Sequence, residues 1–396
     1  MRLLFLFISL FSFFMARAQP YPDTRILYEK DLKTGASQTN KYIPLLKDKR
    51  VGVIANTTST IFGVSLVDTL LALKIQVKKV FCPEHGFRGN ADAGEKVKTE
   101  KDPKTGLPII SLFGKHFKPT REDLADIDVL VYDLQDVGVR FYTYISTMTY
   151  CMEAAAENGK EFMVLDRPNP NGYYVDGPVL EPAFKSFLGL HPVPIVYGMT
   201  CGEYAQMVNN EGWLDKGVKC KLKIVTLQNY NHVDMYQLPV KPSPNLPNMQ
   251  AVYLYPSLGL FEGTIVSVGR GTDKPFQVIG HPDARADYSF VPRPMEGAKK
   301  PKYMGKSCFG HYLGDFADSY IKDSKQIYLL WLTGMYKQLK NQAFFDENFN
   351  YHAGNATLQQ QIKAGVPEDK IAQSWLPEIL KFKKIRKKYL LYKDFE

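Results

Sequence analysis

The chain has 396 residues, of which 45% are hydrophobic and 23% charged. That composition excludes a disordered chain, which would lack the apolar surface to offset the entropy of ordering. The 29 glycines and 25 prolines are ordinary usage and exclude collagen-like and low-complexity readings. The formal net charge of +9 comes from 50 basic and 41 acidic residues. No dense arginine or lysine arm explains it. Nucleic acid is possible on charge alone, but an anionic surface or an acidic small molecule fits as well, and no nucleic acid partner is expected. The length is that of two domains.

Residues 1–18 read as a secretory signal peptide. Arg2 supplies a positive start, Leu3 to Phe14 an apolar run, and Ala16-Arg17-Ala18 a small-x-small cleavage site. Such a run is too short to span a bilayer. Cleavage after Ala18 is expected to leave an exported chain starting at Gln19, periplasmic or secreted. No later stretch approaches the ~20 apolar residues of a membrane span, so no transmembrane anchor is expected. The cysteines, Cys82, Cys151, Cys201, Cys220 and Cys308, have no paired spacing. They read as buried small hydrophobes, with one disulfide as the alternative.

After an irregular arm over 19–49, apolar runs alternate with helical patterns. Val51 to Ala55, Val77 to Cys82, Asp128 to Leu134, Glu161 to Asp166 and Lys219 to Leu227 read as strands. Ser65 to Leu73, Asp123 to Asp126, Tyr144 to Asn158 and Thr200 to Asn210 read as helices. This alternation predicts an α/β domain over 50–250, a doubly wound parallel sheet with helices on both faces. The proline-rich segment Pro239 to Pro247 reads as a connector. From residue 251 to 396 the texture changes to aromatic and glycine-rich segments and then helices, which predicts a smaller α+β domain. Its last helix opens at Pro367 and carries the stripe Ile371, Trp375, Ile379, Phe382 and Ile385. The basic run Lys381 to Lys388 lies on that helix and reads as a solvated face; attraction to a wall or membrane is the alternative.

Several kinds of chemistry fail on spacing. Ser319-Tyr-Ile-Lys322, Ser243-Pro-Asn245 and Lys104-Thr-Gly106 match fragments of a serine-acyltransferase signature, but in reversed chain order. No G-x-S-x-G or H-E-x-x-H occurs, and Gly269-Arg-Gly271 lacks the context of a dinucleotide loop. The seven histidines never pair at ligand spacing. No metal, nucleotide or other cofactor is expected.

What is left is a carboxylate-and-arginine crevice. Ligands of such sheets bind at the carboxyl ends of the strands, where four polar, Gly- and Pro-bearing loops follow the first four strands. Glu84, between Pro83 and His85-Gly86, sits directly after an apolar run. Partial desolvation there favours the protonated form of a carboxyl group, which suits a general acid. Asp133 and Glu95 are candidates for a second catalytic carboxylate, as glycoside hydrolysis uses two; Asp136 reads as a loop cap. Arg140, Arg167 and Arg270 bring guanidinium forks that hold carboxylates bidentately. With His85, Tyr142 and Asn169 they make the candidate substrate-binding set. Tyr142 and Tyr144 offer rings for sugar faces, with core packing as the alternative.

These motifs resemble a known family. Pro83-Glu84-His85-Gly86-Phe87-Arg88-Gly89, Ala93-Gly94-Glu95, Asp133-Leu-Gln-Asp136-Val-Gly-Val-Arg140-Phe-Tyr-Thr-Tyr144 and Asp166-Arg-Pro-Asn-Pro170 are similar to the YbbC-like proteins, the exo-β-N-acetylmuramidases of the NamZ type. The likeness continues through Pro256-Ser-Leu258, Phe261-Glu-Gly263, Gly269-Arg-Gly-Thr272 and Ser374-Trp375, nearly the whole chain after residue 18. It implies a Rossmann-like N-terminal domain, a smaller C-terminal domain and an active site in the cleft between them. It implies release of N-acetylmuramic acid from the non-reducing end of peptidoglycan fragments, with Glu84 as the favoured catalytic residue. The lactyl carboxylate of that sugar would explain arginines in a glycosidase crevice; Arg167, stiffened by Pro168 and Pro170, is the first choice to hold it. A non-catalytic wall protein that binds sugar in the same crevice is the alternative function, and an exported serine peptidase is a third.

Overall fold

The computed structural model describes residues 25–84, 86–88, 100–114, 116–340 and 342–396. The expected signal peptide, His85 and Glu95 lie outside them.

The N-terminal half is built on one sheet. Its strands are β1 (Arg50–Ala55), β2 (Gln76–Cys82), β3 (Glu100–Lys101), β4 (Pro108–Ser111), β5 (Val129–Asp133), β6 (Glu161–Leu165) and β7 (Lys221–Val225). The spatial order is β7-β6-β5-β1-β2-β4-β3, parallel throughout except for β3 on β4. The chain winds outward from β1 through β2 to β4, then returns to the other side of β1 as β5. The direction of winding therefore switches between β1 and β5, and the fold is the expected Rossmann-like doubly wound α/β domain.

Side chains alternate across the pleat and divide the core into two layers. Val51, Val53, Val80, Val129 and Val131 pack on one face under α1 (Thr39–Leu46) and α2 (Leu66–Ala72). Ile54, Phe81, Leu130, Tyr132 and Phe162 pack on the other, under α3 (Tyr144–Glu157) and α4 (Cys201–Asn210). Sheets buried on both faces read as continuous apolar runs, which is why these strands were legible. Helix α4 starts where its chemistry says: Thr200 accepts from the Glu203 amide while the Glu203 carboxylate accepts from the Thr200 amide.

Three sequence expectations change. The segment 19–49 is not irregular throughout: α1 lies in it, and its Tyr42 and Leu46 are fully buried against the sheet. Only two residues of that helix are buried, with Ile43 partly so, too few to print a period. Asp123 to Asp126 forms turns rather than a helix. Strand β4 was not expected; it is only four residues long and opens on Pro108, which weakens a strand reading.

The C-terminal half holds helix α5 (Met249–Leu258) and an antiparallel sheet of β8 (Val278–His281), β9 (Tyr288–Phe290) and β10 (Cys308–Tyr312), in the order β8-β10-β9. Helices α6 (Leu330–Leu339), α7 (Phe349–Ala353), α8 (Thr357–Lys363) and α9 (Glu368–Arg386) follow. Helix α9 buries Ile371, Trp375, Ile379 and Phe382 as its stripe requires. The core beneath α3 and α4 runs without a break into α5, α6 and α9, so both halves share it. Of the basic run on α9, Arg386 is buried: its guanidinium pairs bidentately with Asp394 at 2.8 Å and donates to the Gly198 carbonyl at 2.9 Å. Among the described residues no helix is long and apolar enough to cross a membrane.

All five cysteines are buried and unpaired. Burial pushes the Cys82 and Cys220 thiols up to about 12 and the Cys308 thiol up to about 11. Native protein is expected to react with no equivalent of an aromatic disulfide reagent over minutes, and with all five thiols once denatured. A fast-reacting thiol in the native state would show that burial incomplete.

Candidate active site

A cavity of about 400 Å³ opens where the carboxyl edge of the sheet meets the C-terminal half. Glu84, Tyr142, Thr143 and Tyr144 enter it from the loops after β2 and β5. Glu262, Arg270, Phe276 and His352 enter from the C-terminal half, and Ser243 and Asn245 from the proline-rich segment. That segment is therefore not a plain connector. The Pro242 carbonyl accepts from Tyr142 at 2.7 Å and from Tyr144 at 3.4 Å, and so holds the segment against the loop after β5.

Glu84 stands two residues past the end of β2. The chain turns sharply behind it, with the Gly86 amide donating to the Pro83 carbonyl at 3.1 Å and Gly86 at φ +76°, a conformation that favours glycine. The Thr143 hydroxyl donates to Glu84 Oε2 at 3.2 Å. Thr143 is the N-cap of α3, so the carboxylate is tied to the start of that helix.

Glu262 was not singled out from the sequence as a site residue. It lies in a short 3-10 turn after α5 and grips Arg270 bidentately, Nε to Oε1 at 2.8 Å and Nη2 to Oε2 at 2.9 Å. Burial works against the charge on Glu262, but the Arg270 guanidinium outweighs it and holds the carboxyl below its ordinary value. Arg270 also lies over the Phe276 ring, 5.1 Å from its centroid. Its third nitrogen, Nη1, is buried without an acceptor among the protein atoms. The signal that could have found this pair is an acid eight residues before an arginine in a glycine-rich stretch.

Arg140, Arg167, Asp133 and Asn169 do not line the cavity. Arg140 is fully enclosed behind the cavity wall. Its Nη1 donates to the Pro178 and Val193 carbonyls at 2.8 and 2.9 Å, and its Nη2 to those of His352 and Ala353 at 2.9 and 2.8 Å. Burial lowers its pKa to about 9. It clamps the loop after β5 to α7, and the expectation that it touches substrate does not fit this position. Arg167, the first choice for the lactyl group, and Asp133, a candidate catalytic carboxylate, are buried against each other instead. Their contacts are Nε to Oδ1 at 2.6 Å and Nη2 to Oδ2 at 3.0 Å, and Arg167 Nη2 also donates to the Thr60 carbonyl at 2.9 Å. Burial alone pushes the Asp133 carboxyl up against the pull of Arg167. Engagement of both its oxygens by the fork marks the pair as ionic, and Asp133 holds Arg167 charged. Breaking such a pair costs about 3–5 kcal/mol, and neither residue lines the cavity. Asn169 is likewise used internally, donating to the Met199 carbonyl at 2.8 Å and accepting from the Asn171 amide at 2.8 Å. Of the tyrosines, Tyr142 lines the cavity but is 7% exposed, and its ring packs edge-on against Tyr144 and Tyr255.

Asp136 closes the turn after β5. Its Oδ2 accepts from the Gly138 amide at 2.6 Å and from the Tyr197 hydroxyl, while Oδ1 is buried without a partner. Burial pushes this carboxyl from about 3.8 up to about 7, against the pull of those donors. A raised acid pKa means the fold binds more protons than the unfolded chain. Its contribution is complete below about pH 4 and is lost as pH rises through 7. Asp136→Asn, which cannot ionise, is expected to gain on the parent by on the order of a few kcal/mol between pH 4.5 and 8. Urea unfolding of both proteins at the two pH values checks this; an unchanged difference would sink it.

Among the described residues no group of three or more His, Cys, Asp and Glu side chains could hold a metal ion. The cavity thus presents two glutamates and one guanidinium in a largely aromatic shell.

Known proteins match this arrangement. Residues 51–250 match the family model of the exo-β-N-acetylmuramidase NamZ N-terminal domain, and residues 253–392 that of its C-terminal domain. The chain is 39% identical over 380 residues to the peptidoglycan β-N-acetylmuramidase NamZ of Bacillus subtilis (strain 168), covering 89% of each chain. Two crystal structures of DUF1343 family proteins from Bacteroides fragilis superpose on 92% of this chain and 99% of their own. Their TM-scores are 0.86 at 45% identity and 0.77 at 31% identity. With both halves matched in order, this chain belongs to the exo-β-N-acetylmuramidase NamZ family.

Proposed function

We propose that this chain is an exported glycosidase that releases N-acetylmuramic acid from the non-reducing ends of peptidoglycan fragments. Family membership supports the reaction, and the layout of residues 1–18 supports export, with cleavage after Ala18. The observation that carries the site is that one cavity is lined by both Glu84 and the Glu262–Arg270 pair.

Glu84 acts as general acid on the glycosidic oxygen and then as base toward water. Glu262, kept ionised by Arg270, places a negative charge in the cavity where an oxocarbenium-like transition state gains from it. Arg270 is the guanidinium in position for the lactyl carboxylate. The test is release of chromophore from a nitrophenyl β-N-acetylmuraminide against the matching glucosaminide. Turnover of the muraminide is the expected result. Saturable binding of muramic acid without turnover would leave a sugar-binding protein.

A further inference from the structure

Beside the cavity lies a group of aromatic rings that the mechanism does not use. Phe187 sits 4.3 Å from Phe117 and 6.1 Å from Phe113 between ring centroids, and it stacks with Tyr150 at 6.2 Å with the planes 4° apart. Phe113 and Phe117 meet edge-on at 5.9 Å. All four rings are half-buried, and none belongs to any of the hydrophobic clusters of the fold. A contiguous, partly exposed set of rings outside the core is the kind of patch that interaction surfaces use.

Three separate links join this shelf to the cavity. Leu188, next to Phe187, lines the cavity. Phe113 follows Leu112, whose amide donates to the Cys82 carbonyl at 2.8 Å, two residues before Glu84. Tyr150 stands on α3, whose N-cap Thr143 holds the Glu84 carboxylate. The shelf is therefore tied through the chain to the elements that carry the acid end of the site.

The geometry points to a binding site for the leaving side of the glycan, in which the rings of Phe113, Phe117 and Phe187 stack on the apolar faces of the sugars beyond the first one that follows the scissile bond. This rests on the glycosidase reading above. An enzyme that removes one terminal sugar at a time must hold the rest of the chain while its bond is protonated. A rigid aromatic surface does this at low entropic cost and without reading substituents. Peptides on the lactyl groups can project away from such a surface.

The experiment compares muramate release from the disaccharide and the tetrasaccharide of alternating N-acetylmuramic acid and N-acetylglucosamine. The parent is expected to have a lower KM for the tetrasaccharide at similar kcat. Phe187→Ala and Phe187→Leu are expected to raise the tetrasaccharide KM about tenfold, leaving the disaccharide within twofold. Phe187→Tyr keeps the ring and should restore the parent's preference. Thermal melting of each variant shows that the fold persists. Equal chain-length dependence in parent and leucine variant overturns the shelf, as does a parent with no preference. Release of muramate from neither substrate by the parent would instead overturn the glycosidase reading.

Discussion

Glu84→Gln is expected to abolish turnover and leave the fold intact. The glutamine side chain is isosteric and can still accept from Thr143, and the carboxylate it replaces lines a cavity rather than a core. The unfolding free energy should therefore stay within the ±0.5 kcal/mol band of substitutions away from packed features, which thermal melting checks. Activity should fall by roughly 10²–10⁴-fold, the usual contribution of a general acid or base. The leaving group tells which role dominates. Nitrophenolate departs without protonation, whereas a sugar alkoxide does not. If Glu84 is the acid, the natural disaccharide should lose far more activity than the nitrophenyl muraminide. Equal loss on both would assign Glu84 to nucleophile or base. Near-parent rates on both, in a folded variant, would remove it from the mechanism.

The sheet was legible because its physics is local. Strands buried on both faces must be apolar throughout, and the polar loops after β1, β2, β5 and β6 announce the ligand end. Glu84 was legible for the same reason, as an acid directly after such a strand. The arginines were not. A buried guanidinium needs acceptors, and a sequence does not say whether they are a substrate carboxylate, an aspartate or backbone carbonyls. Arg167 finds Asp133 because their strands are neighbours: Tyr132 pairs with Val164, which brings both residues to one edge. Arg140 finds carbonyls from the loop at 178–193 and from α7, more than 200 residues away for His352. Glu262 and Ser243 reach the cavity only through packing of the two halves, which no local pattern encodes. The helix α1 was lost for a different reason, its short length and its internal Pro44.

Arg270→Ala is expected to collapse discrimination between N-acetylmuramic acid and N-acetylglucosamine. The two sugars differ by the lactyl group, and of the three expected arginines Arg270 is the one that lines the cavity. A neutral sugar leaves the buried Nη1 of Arg270 without an acceptor while Glu262 keeps the other two nitrogens. An unsatisfied donor on a charged group costs upwards of about 1–3 kcal/mol, so a site built around the carboxylate should reject the neutral sugar by about 10²-fold. A merely apolar lactyl pocket would discriminate by only about 1–3 kcal/mol. Truncation of Arg270 also strips Glu262 of its partner, and the bared carboxylate would then repel a lactyl group. Two further variants separate these effects. Arg270→Lys keeps the charge but loses the fork, and should retain part of the discrimination. Glu262→Gln frees the guanidinium; discrimination should persist while kcat falls for both sugars, since the charge facing the transition state is gone. The measurement is kcat/KM for paired nitrophenyl muraminide and glucosaminide in the parent and all three variants. If Arg270→Ala leaves the ratio of the two sugars where it stands in the parent, the lactyl carboxylate is read by some other group.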